Sequence, residues 1–269
     1  HGVGGGEQLG PSGRWPVGQS LELGVAGDQH GDVRIGQPPG VGAVGRLSVG
    51  AAGSGGPDES VRGAPRHLEA RRDGPALDHV GLLVGAVDLV EADGMKLTGA
   101  LGTHFHADHV GGNLMGHPIV GIAELLDLVQ VPIHLQAEEV DWVARTTGVT
   151  APHLVGHASG DTVMVGDIPI TLIHTPGHTP GSQCFLVDGK LVAGDTLFLN
   201  GCGRTDLPGS DPEQMYYSLT QRLGQVPDDA VLYPGHLYSE KPSATMGETR
   251  SRNMVFRPDS LEQWLQLFT

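Results

Sequence analysis

The stretch Thr103-His104-Phe105-His106-Ala107-Asp108-His109 places three histidines and one aspartate within six consecutive residues. His104 and His106 alternate, as they would on an extended segment where residues two apart share one face. Imidazole and carboxylate groups are side chains with which proteins bind zinc and related metals. A polar loop that is rich in histidine by coincidence is the alternative, and the spacing of the run favours a metal site over it. We therefore predict that this run binds a metal.

The sequence on either side of the run has the pattern of a layered domain. Leu97 to Thr103 is typical of a strand that leads into the histidines, and Asp188-Gly189 is typical of a tight turn between two further strands. Asp211-Pro212-Glu213-Gln214 supplies an N-cap, a first-turn proline and a capping-box glutamine, which together begin a helix. The predicted strands cover residues 97–103, 131–135, 162–165, 168–174, 183–187, 190–193 and 230–233, and the predicted helices begin near residues 122, 137, 211 and 260. Strands and helices in this mixed order indicate an α/β fold.

The first 75 residues have a different composition, rich in glycine, proline and arginine. No phenylalanine occurs before Phe105 and no tyrosine before Tyr216, so these strand-forming residues are missing from the first third of the chain. Such a composition is typical of a poorly ordered segment. We therefore expect a glycine-rich segment at residues 1–75 and a catalytic domain at residues 76–269.

Charge and hydropathy exclude several classes of function. The chain has 31 acidic and 16 basic residues, a net charge of -15, which would repel the phosphates of a nucleic acid. Its apolar stretches are interrupted well before the roughly 20 residues that a membrane span needs, and its N-terminus lacks the pattern of a signal peptide. Two cysteines, Cys184 and Cys202, cannot form a disulfide framework, and we expect Cys184 to be a packing residue. We therefore expect a cytoplasmic protein with neither nucleic-acid nor membrane partners.

Three further motifs follow the histidine run. They are Thr175-Pro176-Gly177-His178-Thr179-Pro180-Gly181-Ser182, Ala193-Gly194-Asp195-Thr196-Leu197-Phe198 and Tyr233-Pro234-Gly235-His236. Together with His-x-His-x-Asp-His after a strand, and in this order, they resemble the motifs of the metallo-β-lactamase superfamily over roughly residues 90 to 256. The resemblance implies an αββα sandwich with metals at one edge of its two sheets.

The resemblance also implies a role for each motif residue. The first metal would be held by His104, His106 and His178, the second by Asp108, His109 and His236, and Asp195 would bridge the two. We expect two divalent metals, zinc by preference and iron or manganese as alternatives. A metal-bound hydroxide would be the nucleophile, and Asp108 would be a catalytic residue that orients it or passes a proton to the leaving group.

The loop Gly201-Cys202-Gly203-Arg204-Thr205-Asp206 is similar to a loop in two members of the superfamily that act on glutathione thiols, glyoxalase II and persulfide dioxygenase. The first implies a hydrolase that cleaves a thioester or related ester, with a small glutathione-linked molecule as substrate. The second implies a dioxygenase with one Fe(II) held by His104, His178 and Asp195. A third alternative is a metal-binding relative with impaired catalysis. The hydrolase is our leading hypothesis.

Arg204, within this loop, is our candidate for binding a substrate carboxylate through its planar fork of donors. Its alternative role is an internal ion pair with Asp206. Trp142 fits the core face of a helix better than a platform for substrate. The remaining histidines of this region match no ligand motif and are expected to be packing or surface residues: His117, His134, His153, His157 and His174. The oligomeric state is left open, a homodimer included.

Overall fold

The computed structural model describes residues 94–268, Val87, Asp88 and Val90, and the backbone of Leu23–Gly27 and Val33–Ile35. Most of the segment at residues 1–75, which the sequence predicts to be poorly ordered, lies outside the described residues. The division near residue 75 therefore stays a prediction. The two N-terminal segments are strands, and they join a sheet that the later part of the chain forms.

The strands and helices are numbered in chain order. The strands are β1 (Leu23–Gly27), β2 (Val33–Ile35), β3 (Lys96–Leu101), β4 (Gly112–Leu114), β5 (His117–Ile119), β6 (Ile133–Gln136), β7 (Leu154–His157), β8 (Thr162–Val165), β9 (Ile168–His174), β10 (Gln183–Val187), β11 (Lys190–Gly194), β12 (Val231–Pro234) and β13 (Ala244–Thr245). The helices are α1 (Ala107–Val110), α2 (Ile122–Leu128), α3 (Val140–Thr147), α4 (Pro212–Tyr217), α5 (Met246–Arg252) and α6 (Leu261–Phe268). Short 3₁₀ turns cover Ala137–Glu139, Leu223–Gln225 and Met254–Phe256, and a π-helical turn at Ser218–Arg222 extends α4. No helix in the described part of the chain is long and apolar enough to cross a bilayer.

Two main sheets contain all of the strands except the β4–β5 hairpin. The first sheet has the order β2-β1-β3-β6-β7, and the second has the order β13-β12-β11-β10-β9-β8. In the first sheet β1 is antiparallel to β3, whereas β3, β6 and β7 are parallel. In the second sheet the neighbours from β8 to β11 are antiparallel, and β11 and β12 are parallel. The strands and helices predicted from the sequence are all present, with small differences at their ends. Eight further elements have no counterpart in that prediction: β1, β2, β4, β5, β7, β13, α1 and α5.

Three apolar cores separate the layers of the molecule. One lies between the two sheets, one between the first sheet and helices α2 and α3, and one between the second sheet and helices α4 and α6. Their buried residues include Leu101, Ile170 and Phe185 between the sheets, Ile133, Leu135 and Val143 outside the first sheet, and Leu191, Met215 and Trp264 outside the second. Cys184 is fully buried in the last of these cores, which confirms it as a packing residue. The predicted αββα sandwich is confirmed.

Gln183, at the start of β10, ties the second sheet to the segment that carries the histidine run. Its backbone N–H donates to the Thr103 carbonyl at 2.9 Å, and its side-chain amide donates to the Gly102 carbonyl at 2.7 Å. Gln136, at the end of β6, donates in turn to the Gln183 side-chain oxygen at 2.9 Å. Because buried polar groups that are hydrogen-bonded to one another have few alternative arrangements, these bonds fix the entry to the run relative to both sheets.

His134 and His157 form a polar contact between the neighbouring strands β6 and β7. His134 Nδ1 lies 2.9 Å from His157 Nε2, and His157 Nδ1 lies 3.6 Å from the Asp161 carboxylate. Burial, and then the neighbouring His157, lower the pKa of His134 to about 4. Both side chains are half-buried, and neither belongs to the groups of potential metal ligands found among the described residues.

Replacing His134 by glutamine should make the free energy of unfolding depend less steeply on pH between about pH 4 and 6.5. The folded side chain stays neutral down to about pH 4, whereas an unfolded histidine binds a proton below about pH 6.5. The free energy of unfolding therefore falls as the pH drops through this window. Without His134 the slope should decrease by at most about 1.4 kcal/mol per pH unit, and by less where solvent screens the half-buried ring.

Urea unfolding of the two proteins between about pH 4 and 7 measures this slope. His117→Gln, on the exposed strand β5, is the matched control for replacing a histidine by glutamine. If His134→Gln and His117→Gln gave the same slope as the wild type, the depressed pKa of His134 would not contribute to stability.

Candidate metal centre

The three histidines predicted for the first metal converge on one point. His178 Nε2 lies 3.0 Å from His106 Nδ1, and the His104 ring centre lies 4.8 Å and 4.9 Å from the ring centres of His106 and His178. One ligand nitrogen from each ring falls within 4.8 Å of the other two. Two nitrogens bound to one tetrahedral zinc at about 2.0–2.1 Å are roughly 3.3 Å apart, so the spacing suits a shared metal.

The three residues predicted for the second metal also lie together. His109 Nε2 is 3.1 Å from His236 Nε2, although 127 residues separate them in the chain. Asp108 Oδ2 lies 3.5 Å from His236 Nε2 and 3.9 Å from His109 Nε2. This second group is as compact as the first.

Asp195 lies between the two groups, where a bridging carboxylate would have to be. Its Oδ2 atom is 3.7 Å from His178 Nε2 of the first group and 3.3 Å from His236 Nε2 of the second. Its Oδ1 atom is 3.2 Å from His109 Nε2. The structure thus places all seven predicted ligands in one cluster.

The ends of the strands explain why distant residues meet here. His104 and His106 follow β3, and the short helix α1 that comes next carries Asp108 and His109. His178 lies in the loop between β9 and β10, while Asp195 and His236 come directly or shortly after β11 and β12. Since β11 and β12 are parallel neighbours, their carboxyl ends lie side by side, and a hydrogen bond from Gly235 N–H to the Gly194 carbonyl at 2.8 Å joins the two segments.

The hydrogen bonds behind the rings orient them towards the cluster. His178 Nδ1–H donates to the Arg204 carbonyl at 2.8 Å, which leaves the Nε2 lone pair pointing at its neighbours. His104 Nδ1 lies 3.1 Å from the Thr103 hydroxyl. His104 Nε2 and Asp195 Oδ1 are buried and have no hydrogen-bond partner within the described part of the chain. Buried polar atoms of this kind are costly unless a partner satisfies them, and a divalent metal fits both.

The protonation states also suit a metal. Burial lowers the pKa of His104 well below its ordinary value, lowers that of His106 to about 4, and lowers that of His178. These rings are therefore neutral near pH 7, with lone pairs available. Burial alone would raise the pKa of Asp195, but His109 and His236 outweigh it and hold this pKa well below the usual range. Neutral imidazoles with an ionised carboxylate form a donor set for borderline divalent metals such as zinc.

Arg204 contributes to the site in a way that the sequence does not indicate. Its guanidinium makes two hydrogen bonds to Asp206, from Nε to Oδ1 at 2.8 Å and from Nη2 to Oδ2 at 2.7 Å, and both side chains are exposed. The ion pair named as its alternative role is therefore present. The part of Arg204 that touches the cluster is its backbone carbonyl, on His178. Recognition of a substrate carboxylate by its side chain stays a prediction.

Two sets of aromatic rings that the sequence motifs do not indicate flank the cluster. Tyr238, 63% exposed, stacks on His236 with ring centres 5.1 Å apart and meets the edge of Phe198 at 5.0 Å. On the other side, Phe105 lies 4.7 Å from His106 and stacks on Trp142 at 4.8 Å. Trp142 is half-buried, so it is packed against the histidine run instead of lying deep in the helix core. Tyr238 lies two residues after His236, the spacing at which residues of an extended segment share a face, and this spacing is the signal that could have identified it.

Comparisons with known proteins agree with this geometry. A family model described as the metallo-beta-lactamase superfamily matches residues 69–236. The chain is 31% identical over 171 residues to the probable polyketide biosynthesis zinc-dependent hydrolase BaeB of Bacillus velezensis, which covers 64% of this chain and 70% of the relative. It is 30% identical over 168 residues to the mitochondrial persulfide dioxygenase ETHE1 of Bos taurus (61% and 59%). It is 40% identical over 137 residues to a hydroxyacylglutathione hydrolase of Salmonella dublin (51% and 47%). The chain thus spans little more than half of the bovine relative and about half of the Salmonella one.

Solved structures extend the likeness to the fold. The crystal structure of ETHE1 from Myxococcus xanthus superposes with a TM-score of 0.58 at 26% identity, over 70% of this chain and 76% of that one. A metallo-beta-lactamase from Staphylococcus aureus gives a TM-score of 0.58 at 26% identity, over 69% and 56%. The family match covers more than half of the chain, and the structure brings histidines and aspartates together in groups that could hold a metal. This chain is an enzyme of the metallo-β-lactamase superfamily, in the branch that resembles hydroxyacylglutathione hydrolase and persulfide dioxygenase.

Proposed function

We propose that the protein is a metal-dependent hydrolase that cleaves a thioester or related ester of a small, glutathione-linked molecule. The observation that carries the proposal is the presence of two complete ligand groups on either side of Asp195. A single metal would need only the first group and Asp195, whereas two adjacent metals need the second group as well. Asp108, His109 and His236 are assembled as closely as the first three ligands.

The donor set divides naturally between two metals. His104, His106 and His178 would hold the first, Asp108, His109 and His236 would hold the second, and Asp195 would bridge them. The chemistry that two divalent ions would supply there is activation of a water molecule at neutral pH and polarisation of the substrate carbonyl. Zinc is our expectation, with iron or manganese as alternatives.

Asp108 is the ligand best placed to handle a proton. Its side chain is 36% exposed, whereas that of Asp195 is 11% exposed and that of His109 is 5% exposed. It therefore lies at the open side of the cluster, where substrate would enter. There Asp108 can orient the attacking water through a hydrogen bond and pass a proton to the departing thiol or alcohol.

The surface around the cluster offers contacts for a substrate with apolar and charged parts. Tyr238 stacks on His236, and both Tyr238 and the preceding Leu237 are exposed, so that they could offer apolar contacts to a substrate. Arg204, on the loop that touches His178, would bind a carboxylate of the substrate by exchanging part of its contact with Asp206. The net charge of -15 disfavours nucleic-acid partners, and we expect the enzyme to act on small molecules in the cytoplasm.

A second candidate function is oxidation of glutathione persulfide with one Fe(II) held by His104, His178 and Asp195. The likeness to persulfide dioxygenases favours it, as does the 3.7 Å approach of Asp195 Oδ2 to His178 Nε2. A catalytically impaired relative is the third alternative. The second ligand group is present under each of these readings, and the hydrolase stays our first proposal because two adjacent metals would use all seven residues.

Metal content separates these possibilities. Protein purified without added metal should contain about two divalent ions per chain and should release thiol from S-lactoylglutathione. Elemental analysis, a thiol-detecting assay and an oxygen electrode with glutathione persulfide are the measurements. One iron per chain with oxygen consumption would replace our proposal by the dioxygenase. Bound metal without turnover of any of these substrates would indicate the impaired relative.

A further inference from the structure

Glu139 is a fully buried acid that the chemistry proposed above does not use. It lies in the 3₁₀ turn between β6 and α3, and its carboxylate receives three hydrogen bonds. Oε1 accepts from the Phe105 backbone N–H and from the Thr179 hydroxyl, both at 2.7 Å, and Oε2 accepts from the Gly181 backbone N–H at 2.6 Å. All three donors lie far from Glu139 in sequence, so the contact exists only in the folded chain.

The donors belong to the two segments that carry the first ligand group. Phe105 stands between His104 and His106, and Thr179 follows His178 directly. One carboxylate therefore links the segment with two of the ligands to the segment with the third. We infer that Glu139 is a positioning residue that holds these two segments in the register needed by the first metal. This inference rests on the proposed assignment of His104, His106 and His178 as ligands.

The energetics favour a rigid link. Burial raises the pKa of Glu139, while the hydrogen bonds from Thr179, Phe105 and Gly181 oppose the rise. A buried carboxylate is costly unless donors satisfy it, and N–H or O–H groups that donate to an ionised acceptor form the stronger class of hydrogen bond. The loop also closes tightly on the acid, since a side chain at Gly181 would begin 2.5 Å from Glu139 Oε2. Thr179 is held a second time by Ser182, whose hydroxyl lies 2.7 Å away.

The second ligand group has no such link to Glu139. His236 is placed by the end of β12 and by the bond between Gly235 and Gly194, on the opposite sheet. Asp108 and His109 are carried by α1, whose own backbone bonds to His106 fix its first turn. Loss of the Glu139 carboxylate should therefore disturb the first metal more than the second.

The test is a Glu139→Gln variant. In this variant the side-chain NH₂ must face at least one of the N–H or O–H groups that now donate to the carboxylate, so that one hydrogen bond is lost. We expect zinc affinity at the first site to fall by about 10–100-fold, the effect typical of a lost outer-shell partner, and the second site to change by only a few-fold. Competition with a chromophoric chelator measures both affinities. The visible spectrum of the Co(II)-loaded protein reports whether the three-histidine geometry is kept.

Two further variants keep the experiment decisive. Thr179→Ser retains the hydroxyl and should bind like the wild type, whereas Thr179→Val removes one donor and should show a smaller, first-site loss; this pair remains informative if Glu139→Gln does not fold. Leu223→Ala, fully buried outside the second sheet, is the control for lost stability alone.

Glu139→Gln with wild-type affinities at both sites, or with the uniform loss seen in Leu223→Ala, would overturn the inference. Wild-type protein that binds no metal through these histidines would instead overturn the proposed function.

Discussion

Asp195→Ala should lose both metals together with its hydrolytic activity. The Asp195 carboxylate lies within 3.7 Å of ligand nitrogens from both groups, so alanine removes one charged donor from each. The loss should exceed the roughly 10–100-fold that follows removal of an outer-shell partner, because Asp195 would be a direct ligand of both metals. Elemental analysis after dialysis, and thiol release under saturating metal, measure the two effects.

The control for this variant is Asp141→Ala, which removes an exposed carboxylate from the surface of α3. It changes the net charge by the same amount and should retain full metal content and turnover. If Asp195→Ala kept two metals per chain, the bridging assignment would be wrong. If it kept one metal per chain, Asp195 would be a required ligand of the lost metal only and not a bridge.

Gly203→Ala should weaken both the fold and the metal site. Gly203 lies in the loop after Asp195, and a Cβ there would overlap the Asp195 backbone oxygen and lie 2.8 Å from His178 Cγ. Neither neighbour can yield easily, since one is backbone and the other is a ring fixed by the Arg204 carbonyl. Overpacking of this kind costs about 1–3 kcal/mol, and we expect metal affinity to fall as His178 and Asp195 are displaced.

Gly224→Ala provides the comparison, because no atom outside its own turn and its chain neighbours lies within 4 Å of the position that its Cβ would take. Replacing a glycine at a site without strain is neutral or stabilises a protein by about 0.4–1 kcal/mol. Urea unfolding and zinc titration of both variants separate the two cases. Equal stability and equal affinity in Gly203→Ala and Gly224→Ala would show that a Cβ at position 203 does not come within 2.8 Å of His178.

The sequence predicts the ligands better than it predicts their surroundings. His104, His106, His178, Asp195 and His236 occur in short motifs whose spacing carries the information, and the structure brings them together. Their meeting depends on topology, because the strands β3, β11 and β12 must end at the same edge. The resemblance to a known family supplies that topology, whereas periodicity in a single sequence does not.

Residues whose role depends on packing escape such a prediction. Glu138 and Glu139 are adjacent acids, and only the path of the chain decides that Glu139 is buried and Glu138 exposed. Strand β7, Leu154–His157, contains a glycine and a histidine and has no clear alternation. It is a strand because it pairs in parallel with β6, and its Gly156 packs against Ala137. Long-range contacts of this kind leave no local signature.

The backbone and the side chain of Arg204 make separate contacts, the first with a predicted metal ligand and the second with Asp206. The Arg204 backbone carbonyl orients His178, and every amino acid has such a carbonyl, whatever its side chain. The guanidinium is exposed and pairs with Asp206, so it takes no part in the contact with His178. Under the proposed role of its guanidinium, an exchange of the residue at position 204 would alter the preferred substrate while the metal ligands keep their geometry. The same property makes position 204 a natural point at which to randomise this enzyme for new substrates.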